Sequence, residues 1–103
     1  MKKGTIVIYN NAIFEIYEKK GNTAKIYNPE ADNSETTMQI VTLDEITELR
    51  PGDKVNKIDS EGNQLYYYGL SGMKYKNAYM LRLGTINDNR KTAGNYKRES
   101  ISA

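Results

Sequence analysis

Apolar and polar residues alternate in four short runs within residues 4–49, and turn residues separate the runs. Successive side chains of a β-strand point to opposite faces, so this alternation predicts strands with one buried face. Two tight turns are predicted at residues 10–11 and 19–22, because Asn and Gly tolerate left-handed backbone angles. The predicted strands cover residues 5–9, 13–18, 23–27 and 36–41.

The same alternation predicts which side chains of these strands face the core. On the second and third strands, one face carries mainly apolar residues and the opposite face carries Glu15, Tyr17 and Lys25. The residues predicted to point inward are Phe14 and Ile16 on the second strand, Ala24 and Ile26 on the third, and Met38 and Ile40 on the fourth.

A short helical segment is predicted at about residues 43–49. The stretch from Thr42 to Glu45 matches the capping box, in which the Thr hydroxyl and the Glu carboxylate each bond the other residue's amide. Leu43, Ile46 and Leu49 would then share one face of about two helical turns. Pro51 would end the segment, because the residue before a proline avoids helical angles.

The second half of the chain is less regular. A hairpin is predicted from strands at 54–58 and 64–68, followed by a flexible break at 69–72. Residues 78–83 fit either a short helix or a strand, and their length favours the strand. Beyond residue 84 there is almost nothing to bury, so we expect a β-rich domain over 1–84 and a basic, mobile tail over 85–103.

Residues 4–49 resemble the small SH3-like barrels, including the KOW-type modules of ribosomal and transcription proteins. The resemblance rests on the order of elements: a Gly before the first strand, a tight turn, a second strand ending in Lys-Lys-Gly-Asn, two further strands and the predicted helical turn. One departure is Asn10-Asn11, where the KOW motif normally has Gly. The resemblance implies an antiparallel, SH3-like barrel or curved sheet and implies no particular function.

Composition narrows the possible chemistry. The 103 residues fit one domain and include no Cys and no His, which removes thiol nucleophiles, zinc-thiolate sites and the commonest general base. Glu30, Asp32 and Glu35 could together face a hard cation, although a solvated loop is the simpler interpretation. We therefore expect no enzyme activity, no cofactor and no metal. The basic start of the chain lacks the apolar run of a signal peptide, so a cytoplasmic protein is expected.

Charge and tyrosine are concentrated in the second half. Residues 62–98 carry seven Lys or Arg, one acidic residue and six Tyr, and this mixture suits RNA or single-stranded DNA, because cations neutralise phosphates and rings stack on bases. Two or three of the six Tyr are expected to be core, and Tyr66 and Tyr68 should point outward if Leu65 and Tyr67 point inward. The predicted partner-binding residues are Tyr66, Tyr68, Lys74, Tyr75, Lys76, Tyr79, Arg82, Arg90, Lys91, Lys97 and Arg98.

Two kinds of function fit these features. A short, single-domain chain without enzymatic motifs is similar in general character to the small inhibitors of bacterial defence carried by phages and plasmids, anti-CRISPR proteins in particular. That resemblance implies a non-enzymatic inhibitor acting on RNA or on a protein–RNA effector complex, with no membrane contact. The alternatives are a housekeeping RNA-binding module of the translation or transcription apparatus, and a plain protein-contact surface.

Overall fold

The computed structural model describes residues 1–101, which form nine antiparallel β-strands and three short turns of 3-10 helix. This is the mainly β architecture that the alternating runs predict. Within residues 1–101, no helix has the length and apolar character needed to cross a membrane. The strands are Ile6–Tyr9 (β1), Ala12–Lys20 (β2), Thr23–Tyr27 (β3), Gln39–Thr42 (β4), Thr47–Glu48 (β5), Lys54–Ile58 (β6), Gln64–Tyr75 (β7), Ala78–Gly84 (β8) and Gly94–Tyr96 (β9), and the 3-10 turns are Ser34–Thr37, Leu43–Glu45 and Arg98–Ser100.

The strands form two sheets. The first has the order β4-β3-β2-β1-β5 and curls into a half-barrel, while the second has the order β6-β7-β8-β9. Asn10 and Asn11 both have positive φ, as a tight turn between β1 and β2 requires. The coarse expectation of a small, curled, barrel-like β fold is therefore confirmed.

The core consists of two apolar clusters, an inter-sheet cluster that joins the two sheets and an inner cluster within the first sheet, and β1 contributes to both. Ile6 packs with Leu65, Leu81 and Leu83 of the second sheet. Val7, its neighbour, packs with residues of the first sheet's interior. Because both faces of β1 are covered, this strand is the structural link between the two sheets. The inner cluster consists of Val7, Ile16, Ala24, Ile26, Val41 and Ile46, and the partly buried Phe14 packs against it, which confirms the inward prediction for the second and third strands.

The prediction for β4 is wrong by one residue. Val41 is buried, whereas Ile40 is 70% exposed and Met38 is only partly covered. The register explains this result, because Val41 lies opposite Ala24, which is itself buried on the inner face of β3. Ile40 and Val41 are adjacent and both apolar, so alternation alone could not choose between them.

The predicted helical segment at 43–49 is also wrong beyond its first turn. Only Leu43–Glu45 is helical, and Thr47–Glu48 is strand β5, which pairs with β1. The Glu45 carboxylate does accept the Thr42 amide at 2.9 Å, as the capping box predicts. The Thr42 hydroxyl, however, bonds the carboxylates of Asp44 and Glu45. Because the backbone is extended, Ile46 packs into the inner cluster and Leu49 packs into the inter-sheet cluster. Side chains on one face of a helix could not reach both clusters.

The second sheet is longer than predicted. Residues 69–72 are no flexible break but the middle of β7, and residues 78–83 form a strand as favoured. Two register shifts in the β7–β8 pairing lie around these residues, and Gly69 has a φ of +120° there. The glycines therefore mark bulges that bend a continuous strand.

The segment after residue 84 buries more than its composition predicts. Strand β9 pairs with β8, and Ala93, Arg98 and Ile101 are buried, so the expectation of almost nothing to bury is wrong. The mobility of this segment and the domain boundary at residue 84 stay predictions. Residues 102–103 of the predicted tail lie outside the described residues.

Candidate nucleic-acid interface

The tip of the β7–β8 hairpin carries the densest group of predicted binding residues. Tyr75 lies opposite Ala78, so Lys76 and Asn77 form the two-residue turn. Lys76 has a φ of +57°, a left-handed conformation that usually favours Gly or Asn. A lysine at this position is therefore held at the outermost point of the hairpin at some conformational cost.

Three lysine ammonium groups lie over two tyrosine rings at this tip. Lys74 and Tyr79 are directly opposite on β7 and β8, with the Lys74 nitrogen 4.8 Å from the ring centre. The ring of Tyr75 has two such neighbours, Lys97 at 4.2 Å and Lys76 at 5.5 Å. We call this group the lysine–tyrosine cluster, and its members are Lys74, Tyr75, Lys76, Tyr79 and Lys97.

The cluster lies on the surface. Tyr79 is 44% exposed, and all three lysines are exposed. Each cation–π contact at an exposed site contributes about 0.5–1 kcal/mol, enough to restrain a lysine without neutralising its charge. The arrangement therefore presents three positive charges with restrained positions, which suits recognition of an anionic partner by Coulomb attraction.

One acidic side chain reaches the cluster from the first half of the chain. The Asp32 carboxylate accepts a hydrogen bond from the Lys76 ammonium at 2.8 Å, and the Asp32 side chain is 92% exposed. This hydrogen bond lowers the pKa of Asp32 and raises that of Lys76. Both groups are therefore charged at neutral pH, and their pairing offsets one of the three positive charges.

Tyr66 and Tyr68 lie away from the tip, near the other end of β7. Both are partly buried and alternate with the buried Leu65 and Tyr67, which confirms that they point outward together. The Tyr68 hydroxyl donates to the Thr85 carbonyl at 2.6 Å. Tyr66 lines a shallow groove of about 220 Å³ beside Ile86. Neither ring belongs to the lysine–tyrosine cluster.

The predicted arginines and Lys91 have separate places along the sheet. Arg90 packs over Gly69 and donates to the Leu70 carbonyl at 3.3 Å, which covers one of the β7 bulges. Arg82 lies opposite Asn95, and its Nε is buried without a hydrogen-bond partner among residues 1–101. Lys91 is exposed in the turn before β9.

Arg98 does not belong to the binding surface on which it was predicted to lie. It is 3% exposed, and its guanidinium binds the Glu15 carboxylate at 2.8 Å and the Tyr79 carbonyl at 3.0 Å. Its planar fork can satisfy both acceptors at once, which explains why an arginine occupies this site. Arg98 therefore joins β2 to β8 and is not available to a partner.

The interpretation of Glu30 as a solvated loop residue is wrong, because this side chain is buried. Its buried carboxylate accepts the backbone amides of Arg98 at 2.6 Å and Glu99 at 2.8 Å, at the start of the last 3-10 turn. Among residues 1–101, no group of three or more acidic side chains is placed to hold a metal ion. We call Glu15, Glu30 and Arg98 the buried charge network. No local pattern reveals it, because Glu30 and Arg98 are far apart in sequence.

Of the six tyrosines in residues 62–98, Tyr67 alone is buried, so the expectation of two or three core tyrosines is wrong. Burial raises the pKa of Tyr67. The other five keep at least part of their ring area available. The core between the sheets consists mainly of aliphatic residues instead, and Leu65, Leu81 and Leu83 of β7 and β8 are among them.

The comparisons with known proteins give no relative: no family model and no curated protein matches the sequence, and no solved structure matches the chain. Function must therefore be inferred from the residues of this chain.

Proposed function

We propose that this protein is a non-catalytic binding protein that contacts RNA, free or within a protein–RNA complex, through the lysine–tyrosine cluster. The observation that carries the proposal is the placement of Lys74, Lys76 and Lys97 over the rings of Tyr75 and Tyr79. These residues come from β7, β8 and the segment after β9, so folding assembles a charge density that no single stretch of sequence contains.

Lysine composition favours RNA over an acidic protein surface. The cluster contains three lysines and no arginine, since Arg98 is buried beneath it. Protein–protein interfaces are depleted in Lys and enriched in Arg, whereas Lys binds phosphate well as a compact point charge. A nucleic-acid backbone is therefore the partner that this composition fits best.

The biological setting follows the two resemblances. As an inhibitor of anti-CRISPR type, encoded on a phage or plasmid, the protein would occupy the guide RNA of a cytoplasmic defence complex. The alternative is an SH3-like module of the translation or transcription apparatus. The small curled β fold does not choose between these settings, because a fold does not determine a function. The identity of the bound RNA distinguishes them.

The proposal is tested by a mobility-shift titration against a guide RNA, an RNA duplex, a ribosomal RNA fragment and the RNA-free effector protein. The wild-type protein should bind RNA, and affinity should fall steeply with added salt because phosphate contacts release counterions. The charge reversal Lys74→Glu with Lys97→Glu should lower RNA affinity at least tenfold while leaving the fold intact, since both side chains are exposed.

A matched control is the reversal Lys19→Glu with Lys20→Glu, which makes the same charge change on the exposed end of β2 in the first sheet. It should leave RNA affinity within about twofold, because charges beyond the Debye length are largely screened. Binding to the RNA-free effector alone would replace the RNA proposal with a protein-blocking one. Equal losses from both reversals would show that net charge matters and that the cluster does not.

A further inference from the structure

The geometry of the cluster indicates which part of the RNA it contacts. Lysine ammonium groups already cover ring faces of Tyr75 and Tyr79, at 4.2–5.5 Å from the ring centres. Base stacking requires an open ring face, whereas an ammonium above a ring keeps its outer hydrogens free for an anion. This inference rests on the proposed function and specifies that the cluster takes phosphate groups.

Asp32 already occupies one phosphate position. Its carboxylate lies 2.8 Å from the Lys76 nitrogen, the distance at which an ammonium binds a phosphate oxygen. A surface ion pair of this kind contributes about 0–1 kcal/mol, so an incoming phosphate can displace it. The loop at residues 28–33 is anchored by the buried Glu30 two positions earlier, which keeps Asp32 beside the hairpin tip.

The conformation of Lys76 is a second, independent observation. Its positive φ is one that a lysine adopts at a cost of about 1–2 kcal/mol relative to its preferred conformations. Glycine or asparagine would form the same turn more favourably. A lysine here places its charge at the end of the hairpin, and the ion pair that this charge makes is with the displaceable Asp32.

We infer that Asp32 is an internal competitor of the ligand: its carboxylate holds Lys76 in the position that a backbone phosphate takes in the complex, and RNA binding exchanges the one anion for the other. The competitor lowers affinity for every polyanion. An RNA must therefore make enough phosphate contacts at the same time to overcome this competition. A weakly matched RNA that makes fewer contacts does not stay bound.

The test compares Asp32→Asn with Glu61→Gln by fluorescence anisotropy, using a labelled 20-nucleotide oligouridine at several salt concentrations. Both substitutions raise the net charge equally. Glu61 lies in the turn at the other end of β7, roughly 30 Å away at 3.3 Å per residue. Asp32→Asn should raise affinity about threefold to fivefold near 0.1 M salt and steepen the salt dependence, because added salt screens the Lys76–Asp32 attraction that opposes binding in the wild type.

Glu61→Gln should change affinity by less than about 1.5-fold, because its charge is screened at that distance. If the wild type binds but the two variants behave alike, the competitor role is wrong and the proposed RNA function survives. If neither the wild type nor Asp32→Asn binds any RNA, both are wrong. A higher affinity of Asp32→Asn without a steeper salt dependence would also overturn the inference, because an ion pair that opposes binding in the wild type would be weakened by added salt.

Discussion

Lys97 and Arg98 are consecutive, both basic, and equivalent in any pattern of charge, yet they belong to different parts of the molecule. Lys97 is exposed and lies over the ring of Tyr75 in the lysine–tyrosine cluster. Arg98 is buried and joins Glu15 to the Tyr79 carbonyl. The cluster and the buried charge network are therefore adjacent layers of one hairpin end.

The difference between the two layers is a difference in solvation. A buried charge must be paired and hydrogen-bonded, so losing its partner leaves an uncompensated ion. An exposed charge keeps its water and contributes little to stability, which leaves it free to bind a partner. The burial of a basic residue near a candidate surface should accordingly decide whether it is assigned a structural role or a binding role.

The largest effect is expected from Arg98→Ala. The substitution removes the guanidinium donor from the Tyr79 carbonyl and from the Glu15 carboxylate, which keeps the hydrogen bond from the Tyr27 hydroxyl, and breaking a buried pair costs about 3 kcal/mol. Chemical denaturation should show this loss, and Lys97→Ala, the matched control, should change stability by less than about 0.5 kcal/mol. If both variants lost the same small amount of stability, the distinction between the two layers would be wrong.

A smaller effect of opposite sign is expected from Lys76→Gly. Glycine adopts the positive φ of this turn without strain, so the variant should be more stable by about 0.5–1 kcal/mol and should bind RNA more weakly. Urea denaturation and an RNA titration on the same preparation measure both quantities. A loss of stability would mean that the Lys76 side chain supports the fold more than its conformation strains it.

The smallest effect is expected from pH. The pKa of Asp32 is lowered, so its pairing is complete above the ordinary carboxyl pKa and is lost as pH falls through the lowered value. The pKa of Lys76 is raised, so the pairing is lost on the alkaline side only above the ordinary lysine value. The affinity gain of Asp32→Asn should therefore be constant between about pH 6 and 8. A change of this gain with pH within that range would contradict the assignment of Asp32 as the competitor.

Most strands could be predicted because one face is covered and the other is not, so that apolar and polar residues alternate along the sequence; β1, with both faces covered, is the exception. Alternation failed for β4, where Ile40 and Val41 are both apolar and only pairing with Ala24 decides which is buried. It also failed after Leu43, since the spacing of Leu43, Ile46 and Leu49 suits a helix as well as extended chain feeding two clusters.

The candidate site was predictable in composition but not in arrangement. The basic and tyrosine-rich character of residues 62–98 indicated the hairpin that carries the lysine–tyrosine cluster, and the outward pair Tyr66 and Tyr68 followed from strand geometry. The roles of Glu30 and Arg98 could not be predicted, because their contacts join residues far apart in the chain. Nor could Asp32, whose partner Lys76 is brought to it only by the fold.

The most direct test of the central claim is the salt dependence of oligouridine affinity for the wild type and Lys97→Ala, measured by fluorescence anisotropy. If the cluster binds backbone phosphates, removing one lysine should reduce the slope of log affinity against log salt by about 0.7, and affinity should fall about fivefold near 0.1 M salt. An unchanged slope, with the variant folded and binding as tightly as the wild type, would show that the exposed layer makes no phosphate contact.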